Sequence, residues 1–363
     1  MRTWRWHLSA CVLCAVLLLL KQTLDNITYC HIPGGETLEA SSLGHSSRDN
    51  IMAAAFAAER QQDSFENDDT RSETWLHDNY DDIEDTFTLR QDVCRGRNLT
   101  LVICVPVRRS GRLRRDSIRA TWGSYGFRAH NASKPSIALL FFIGAGNVNE
   151  SEDVQKNITE EFRQFGDIVQ DSCYVDSYKN LSLKSLSIVR WAAKFCRGDT
   201  SYILKADDDM YINIPLLVSL LRNTSSLRPW KPPFLLGHVS VERKPHRRPN
   251  SYWYTSLEVY PDKFYPPYVG GASYAMTSSA AAGIARAARG VAVFWLEDVY
   301  VTGMCSRLAG VELVHDDRFF WRKRNASVFQ DQVSAGDFSV QDQHQVHEEV
   351  LAMTSQRKYV DAL

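Results

Sequence analysis

The chain has 363 residues, of which 44% are hydrophobic and 23% are charged, and its formal net charge at pH 7 is −1. This length can bury one sizeable core, together with a poorly folded segment or a second small domain. Because the charge is close to zero, nothing in the composition indicates a nucleic-acid partner, and we expect none.

The N-terminal segment carries an apolar run from Leu8 to Leu20, preceded by Arg2 and Arg5. A cleaved signal peptide would end this run in small residues, whereas leucines here lead directly into Lys21. An uncleaved signal-anchor is therefore favoured over a cleaved signal peptide. Basic residues before the run favour a cytosolic N-terminus and a lumenal remainder. We accordingly predict a cytosolic tail at residues 1–7 and a transmembrane helix at 8–20.

Two further features agree with a lumenal location. The chain contains eight N-x-S/T sequons, and such acceptors matter only where a chain meets the glycosylation machinery. Six cysteines follow the apolar run, an even number that suits an oxidising compartment, although their pairing is left open. These cysteines are Cys30, Cys94, Cys104, Cys173, Cys196 and Cys305.

Residues 21–93 show little hydrophobic periodicity and collect acidic residues, as in ENDDTRSETWLHDNYDDIED. We interpret this region as a solvated, extended lumenal stem. The pattern changes at Cys94, and we predict that residues 94–363 form the folded domain.

In that domain, strand-like apolar runs alternate with helical patterns. The predicted elements are, in order, a strand in NLTLVICVPV, a short helix in RRDSIRATWG, a strand in SIALLFFIGA, a helix in SEDVQKNITEEFRQFGD, a short strand in DIVQ, a helix in NLSLKSLSIVRWAAKFC and a strand in SYILKADDD. This alternation predicts an α/β fold with a mostly parallel sheet flanked by helices. Ligand sites in such sheets lie beyond the carboxyl ends of the strands, which is where Asp207, Asp208 and Asp209 fall.

Three adjacent carboxylates at Asp207–Asp209 need a physical explanation. They could form a solvated loop, or Asp209 or Asn213 could cap a helix in IPLLVSLL. However, the flanking residues have a buried pattern, and ionised acids held between buried segments repel one another unless a cation relieves the repulsion. Carboxylate oxygens suit Mg²⁺ or Mn²⁺, whose other ligands are often water and substrate phosphate oxygens. The acidic motif therefore predicts a site for a metal and a diphosphate.

A second acidic cluster, Glu297 and Asp298 in FWLEDVYVTG, precedes a predicted helix. Its carboxylates either cap that helix or supply a general base opposite the first cluster. Between the two clusters, Gly270 and Gly271 in YPPYVGGASYAM would let the backbone approach a ligand closely.

Six segments occur in an order and spacing that resemble the β1,3-galactosyltransferase family. They are RRDSIRATWG, FFIGAG, FGDIVQDSCYVDSYKNLSLKS, YILKADDDMYIN, YPPYVGGASYAM and LEDVYVTG. This family includes β1,3-N-acetylglucosaminyltransferases and is more distantly related to the Fringe enzymes. The resemblance extends roughly from Cys94 to Leu351, and it implies a nucleotide-sugar-binding domain of the GT-A type that transfers a sugar from a UDP-sugar with inversion.

The resemblance also implies roles for individual residues. Asp209 would bind Mn²⁺ or Mg²⁺ at the diphosphate, Asp207 would lie near the ribose, and Asp298 would deprotonate the acceptor hydroxyl. The other donor-side residues would be Arg115, Arg119, Asp171, Asp176, Lys184 and Asp208. Family members often carry a C-terminal histidine where this chain has Gln341, so that metal-binding role would pass to His344, or to His347, or be lost.

These roles together imply a Golgi membrane protein of type II topology that transfers galactose from UDP-galactose in β1,3 linkage to a terminal sugar of a glycoprotein or glycolipid. Because the motifs do not specify which hexose is transferred, a β1,3-N-acetylglucosaminyltransferase that uses UDP-N-acetylglucosamine is an alternative. The Gln341 departure motivates a second alternative, a catalytically silent lumenal sugar-binding relative. The expected partners are the donor, a glycan acceptor and the Golgi membrane, with homo- or hetero-oligomers of related transferases also possible.

Overall fold

The computed structural model describes residues 85–127, 136–228 and 232–360. The predicted tail (1–7), the predicted signal-anchor (8–20) and most of the predicted stem lie outside the described residues. Across the described ranges, no helix is both long and apolar enough to cross a membrane.

Strands and helices alternate through most of the described chain. The strands are β1 (Phe87–Leu89), β2 (Leu99–Pro106), β3 (Ile137–Ala145), β4 (Ile168–Val175), β5 (Thr200–Ala206), β6 (Tyr211–Ile212), β7 (Phe234–Gly237), β8 (Val239–Ser240), β9 (Tyr268–Val269), β10 (Ser273–Thr277), β11 (Glu312–His315) and β12 (Ser334–Ala335). The α-helices are α1 (Arg112–Ala120), α2 (Glu152–Phe165), α3 (Leu181–Phe195), α4 (Ile214–Ser226), α5 (Ser278–Ala287), α6 (Ser306–Leu308) and α7 (Val340–Val360). A π-helix, Asp298–Cys305, leads directly into α6.

Eight of these strands form one sheet in the order β1-β4-β3-β2-β5-β10-β7-β11. The neighbouring pairs among β2, β3, β4 and β5 are parallel, as the alternating pattern predicted. Strand β10 runs antiparallel to both β5 and β7, and β1 runs antiparallel to β4. The sheet is therefore mixed with a parallel centre, which confirms a mainly parallel α/β fold of GT-A-like architecture.

Strand β1 lies within the region predicted as stem. It pairs with β4 at one edge of the sheet, and Val93 is also buried. The folded domain therefore begins before Cys94, and the boundary placed at residues 93 and 94 is too late. A three-residue edge strand has too short a pattern to be recognised by its periodicity.

The core lies on both faces of the sheet. In β2, Leu101, Ile103 and Val105 join one buried cluster with residues of α1, α2 and α4, whereas Val102 and Cys104 join the other, with residues of α3, α5 and the π-helix. Burial on both faces explains why NLTLVICVPV reads as a continuous apolar run rather than an alternating one.

Helix boundaries follow local capping chemistry. The Ser151 side chain accepts a hydrogen bond from the Asp153 amide at the start of α2, and Gly166 ends that helix in the left-handed conformation at φ 66°. At the start of α4, the Asn213 side chain accepts from the Leu216 amide at 3.2 Å. Asn213 is thus the cap of α4, so capping does not explain Asp209.

The cysteines behave in two ways. Cys94 and Cys196 form a disulfide across 102 residues, which ties the segment between β1 and β2 to the residue that follows α3. Cys104 and Cys305 are buried free thiols, so the even cysteine count does not mean that every cysteine is paired. Burial raises the pKa of the Cys104 thiol, which makes it a structural rather than a reactive group.

Candidate active site

The acidic motif lies at the point where the order of the parallel strands in the sheet reverses. From β2 the chain proceeds to β3 and β4 on one side, whereas β5 lies on the other side of β2. The loops after β2 and β5 therefore diverge and leave a crevice between them. The loop after β2 contains Val107, Arg108 and Arg109, and the loop after β5 contains the acidic motif Asp207–Asp209.

Two cavities open at this end of the sheet. The first, here called the β2–β5 cavity, has a volume of about 520 Å³ and is lined by both loops together with Asp176 and Lys184. The second, the Asp298 cavity, has a volume of about 530 Å³ and contains Asp298. Asp207, Tyr178 and Leu181 line both cavities, so the two spaces meet at the acidic motif.

The carboxylates of the acidic motif repel one another, as their spacing predicted. Burial, followed by the charges of Asp207 and Asp208, raises the pKa of Asp209 to about 6. Burial is also the main cause of the raised pKa of Asp208, and the nearby Arg114 acts to lower it. A divalent cation would relieve this repulsion, and the oxygen-only donor set matches the ligands that Mn²⁺ and Mg²⁺ prefer.

A fourth carboxylate, Asp337, adjoins the acidic motif. The Phe338 amide donates a hydrogen bond to the Asp209 carbonyl oxygen at 3.0 Å, which holds the segment after β12 against the motif. The Asp337 side chain is exposed, and its charge is another cause of the raised pKa of Asp209. Asp337 lies far from the motif in sequence, and no pattern in the sequence indicated it.

Helix α7 reaches the acidic motif through Gln343 rather than His344. The Gln343 side-chain amide donates to the carbonyl oxygens of Asp208 at 2.8 Å and Met210 at 3.0 Å. Successive residues on a helix point in different directions, so a buried Gln343 leaves His344 exposed. His344 does not line either cavity of the described structure. The other candidate, His347, is half-buried, and its Nδ1 lies 2.8 Å from the Tyr211 hydroxyl.

Lys184 and Asp176 form a polar pair in the wall of the β2–β5 cavity. The Lys184 ammonium donates to Asp176 Oδ1 at 2.7 Å and to the Val107 carbonyl at 3.0 Å. Arg108 is exposed at the same cavity, and among the described residues no ion pair involves it. Arg108 is therefore a cation available to an anionic ligand, although the sequence patterns did not single it out.

The other predicted donor-side residues hold the framework together. Arg115 makes a two-point ion pair with Glu161 at 2.8 and 2.6 Å, and Arg119 pairs with both oxygens of Asp167 at 2.7 Å. Asp171 accepts a hydrogen bond from the Thr86 hydroxyl at 2.5 Å, where β1 meets β4. None of the three predicted residues, Arg115, Arg119 and Asp171, lines either cavity of the described structure.

Asp298 is the first residue of the π-helix, a wider helical turn that recurs at functional sites. Its Oδ1 accepts a hydrogen bond from the Val299 amide at 2.9 Å, and burial raises its pKa above the ordinary aspartate value. Glu297, immediately before it, makes no capping hydrogen bond to the helix. The arrangement leaves the Asp298 carboxylate at a cavity wall, where it can accept a proton from a bound hydroxyl group.

The Asp298 cavity also presents large aromatic surfaces. Trp253 and Trp321 line it and are 50% and 43% exposed, and Trp295 and Tyr268 line it as well. Aromatic rings with a polar edge suit ligands that have both apolar faces and hydroxyl groups. A carboxylate base beside such surfaces is compatible with a sugar as the ligand.

One group of side chains near the Asp298 cavity has the composition of a metal-binding site. His238, His315 and Asp317 follow or end the parallel strands β7 and β11, and one ligand atom of each lies within 4.8 Å of the others. The Val239 amide donates to His315 Nδ1 at 3.0 Å, so the proton of the neutral ring is on Nε2, which lies 2.9 Å from Asp317. A metal on Nε2 would place a proton on Nδ1 facing the Val239 amide, so this group suits hydrogen bonding better than metal binding.

Comparison with known proteins identifies the family of this chain. A sequence model of the galactosyltransferase family matches residues 113–317, which is more than half of the chain. The chain belongs to the galactosyltransferase family. The match extends from α1 to the segment that follows β11, and it includes both acidic clusters.

Several curated proteins are similar to this chain over about 60–68% of its length. Lactosylceramide 1,3-N-acetyl-beta-D-glucosaminyltransferase A of Xenopus laevis is 32% identical over 60% of this chain and 57% of its own length. The human lactosylceramide 1,3-N-acetyl-beta-D-glucosaminyltransferase is 28% identical over 68% of this chain and 67% of its own length. Human beta-1,3-galactosyltransferase 9 is 30% identical over 63% of this chain and 59% of its own length. The match with the first and the third therefore spans less than two thirds of those relatives.

Proposed function

We propose that this chain is an inverting β1,3-hexosyltransferase that transfers galactose from UDP-galactose to the terminal sugar of a glycoprotein or glycolipid. The observation that carries the proposal is the meeting of two cavities at Asp207. One cavity contains the acidic motif, and the other contains Asp298 beside aromatic surfaces. Family membership supports a nucleotide-sugar donor and a glycan acceptor.

The donor would occupy the β2–β5 cavity. Asp209 would hold Mn²⁺ or Mg²⁺, and the Asp337 carboxylate beside it, which lines neither cavity of the described structure, would add negative charge that favours the cation. Arg108 would supply positive charge for the diphosphate, and Lys184 would share its charge between Asp176 and the ligand. A bound divalent cation offsets the negative charge that develops on the leaving diphosphate. Asp207 lies at the junction of the cavities, where the sugar end of the donor would meet the acceptor, so we propose it nearer the transferred sugar than the ribose position that the resemblance implies.

The acceptor sugar would occupy the Asp298 cavity. Asp298 takes the proton of the acceptor hydroxyl as its oxygen attacks the anomeric carbon, and the bond from that carbon to the diphosphate oxygen breaks. Attack from the face opposite the leaving group inverts the anomeric configuration. The products are the extended glycan and UDP, with the transferred proton on Asp298.

The donor hexose has a second candidate. The relatives include proteins named as N-acetylglucosaminyltransferases with about the same identity as those named as galactosyltransferases. A UDP-N-acetylglucosamine donor is therefore the alternative within the same reaction class. We propose that the protein is located in the Golgi membrane in type II orientation, and the apolar run at residues 8–20 and the sequons support this proposal.

The test is a donor screen with the full chain solubilised in detergent. UDP-galactose and UDP-N-acetylglucosamine are each supplied with a panel of acceptor glycans, with Mn²⁺ or with a chelator. We expect metal-dependent UDP release and a β1,3-linked galactose in the product. Transfer of N-acetylglucosamine instead would select the alternative donor, and no transfer from either donor would contradict the proposed function.

A further inference from the structure

A buried lysine lies beneath the junction of the two cavities. Lys205, in β5, is 1% exposed, and its ammonium donates to Asp207 Oδ1 at 2.7 Å and to the carbonyl oxygen of Gly271. It also lies 3.7 Å from Glu297 Oε2. Burying an ammonium is costly unless it is paired and hydrogen-bonded, and Lys205 meets that condition with partners from three separate segments.

Strand pairing puts Lys205 in this place. Lys205 is opposite Tyr274 in the antiparallel β5–β10 ladder, and both residues are buried. The Tyr274 hydroxyl donates to Glu297 Oε1 at 2.9 Å. The two cross-strand neighbours therefore hold the Glu297 carboxylate from two sides, and Glu297 is adjacent in sequence to Asp298.

The glycine at position 271 makes this close packing possible. A Cβ atom on Gly271 would lie 2.4 Å from Glu297 Oε2, so any larger residue would push the carboxylate away. The same residue offers its carbonyl to Lys205 and a backbone hydrogen bond to Asp298. The Gly271 backbone thus joins the lysine to the proposed base.

Most of the groups that interact electrostatically with Asp298 are carboxyl groups and tyrosines. The titratable groups that face it are Lys205, Asp207, Glu297 and the tyrosines Tyr178, Tyr265, Tyr268 and Tyr274. Arg243, Lys244, His238 and His246 also line the Asp298 cavity, and Lys205 is the buried cation whose charge acts on Asp298. Burial raises the pKa of Glu297 to about 7, whereas the Lys205 charge acts to lower the pKa of Glu297 and of Asp298.

We propose that Lys205 is a positioning residue that couples the two cavities, fixing Asp207 on the donor side and, through Glu297 and Gly271, keeping the Asp298 carboxylate ionised. The role of this coupling in catalysis rests on the proposed function. The coupling consists of a fixed positive charge between the carboxylates of Asp207, Glu297 and Asp298, and its effect on Asp298 can be measured without turnover.

The experiment compares Glu297→Gln with the double variant Lys205→Met/Glu297→Gln. Lys205→Met alone would leave Glu297 buried without its cation, and such a variant can fail to fold. In the double variant both substituted side chains are neutral and close in shape to the originals, so we expect folding to be retained. The two variants then differ only in the ammonium group. A matched control, Arg115→Met/Glu161→Gln, removes one positive and one negative charge from a buried ion-pair network whose Arg115 and Glu161 side chains line neither cavity of the described structure.

The first readout is carbodiimide labelling of Asp298 against pH, followed by mass spectrometry, because the reagent modifies the protonated carboxyl group. We expect the labelling midpoint in the double variant to lie about one pH unit above that of Glu297→Gln, since an adjacent opposite charge favours the ionised acid. The control pair should leave the midpoint where it is in the unmodified chain. Equal midpoints in Glu297→Gln and the double variant would overturn the proposal.

The second readout is the pH dependence of kcat/KM with the donor that the screen identifies. We expect the acid limb to move with the labelling midpoint in the double variant and not in the control pair. If no donor is transferred but the labelling midpoint still shifts, the charge coupling stands and the proposed function fails. If transfer occurs and the midpoint does not shift, the proposed function stands and the coupling fails.

Discussion

At the scale of single residues, Asp337 adopts a backbone conformation that ordinarily belongs to glycine. Its φ is 61°, in the left-handed region that few side chains other than those of Asn and Asp adopt. Such a conformation destabilises the fold unless the side chain contributes something in return. A carboxylate next to Asp209 contributes to metal binding in the proposed function, which explains why an aspartate suits this position.

Replacing Asp337 with glycine separates stability from metal binding. We expect Asp337→Gly to raise the metal-free stability by about 1 kcal/mol, because the strain is removed, and to weaken Mn²⁺ affinity by about tenfold. Thermal unfolding and calorimetric Mn²⁺ titration measure the two effects. The matched control is Glu242→Gly, which also removes an acid at positive φ (52°) and should leave Mn²⁺ affinity unchanged. Unchanged Mn²⁺ affinity in Asp337→Gly would contradict the assignment.

Asp298 allows a separate test of the chemical step. Asp298→Asn keeps the shape and the oxygen that accepts from the Val299 amide, but it cannot take a proton. We expect UDP binding in the presence of Mn²⁺ to be retained and kcat to fall by about 10² or more. Calorimetry and product analysis report the two quantities, and normal turnover in this variant would refute the role of Asp298 as the base.

At the scale of elements, α7 supports the acidic motif through one buried amide. Gln343 accepts a hydrogen bond from the Ser117 hydroxyl at 2.7 Å while donating to two carbonyl oxygens of the motif. The side chain therefore links α1, α7 and the loop after β5. Sequence patterns drew attention to histidines in this helix, but which helical face meets the motif depends on how α7 packs.

Substitutions of two neighbouring residues in α7 distinguish the role of Gln343 from that of His344. Gln343→Leu leaves buried carbonyl oxygens without a donor, so we expect a loss of about 1–3 kcal/mol in unfolding free energy and weaker Mn²⁺ binding. His344→Ala changes an exposed side chain one position away and should affect neither quantity. Denaturant unfolding and Mn²⁺ titration of both variants provide the measurements, and a loss of Mn²⁺ affinity in His344→Ala would restore the histidine as a metal ligand.

The alternation of strands and helices was predictable because each element carries its own periodicity. The seven elements predicted between NLTLVICVPV and SYILKADDD all occur as β2, α1, β3, α2, β4, α3 and β5. The antiparallel insertion of β10 between β5 and β7 was not predictable, because strand direction is decided by pairing between distant segments. That insertion is what sets Tyr274 and Gly271 beside Lys205.

At the scale of the whole molecule, we expect stability to depend on pH and, under the proposed function, on metal. The pKa of Asp209 in the folded chain is about 6, above its ordinary value of 3.8. A raised carboxyl pKa gives a stability contribution that is fully present below the unfolded pKa and is lost as the pH rises through the folded pKa. The metal-free protein should therefore lose part of its stability between about pH 4 and pH 6.

Metal binding should offset that loss. Mn²⁺ competes with protons for the carboxylates, so the rise in Tm that Mn²⁺ produces should be small near pH 4.5 and grow as the pH passes about 6. Saturating metal, at about a hundredfold above Kd, would add roughly 2.7 kcal/mol. Scanning fluorimetry with Mn²⁺ and with a chelator across this range measures the difference, and a metal effect independent of pH would contradict it.

The sequence by itself determined the class of fold, the two acidic clusters and the position of the first cluster at a strand end, because periodicity and strand polarity are local properties. Only the tertiary structure decided which charged residues face the cavities. Arg115, Arg119 and Asp171 form internal ion pairs and hydrogen bonds, whereas Arg108 lines a cavity, Lys205 lies beneath the junction of the two cavities and Asp337 lies beside the acidic motif. The sequence shows that a residue is charged but not whether its side chain binds a ligand or pairs with another side chain. That partner is decided only when distant segments pack together.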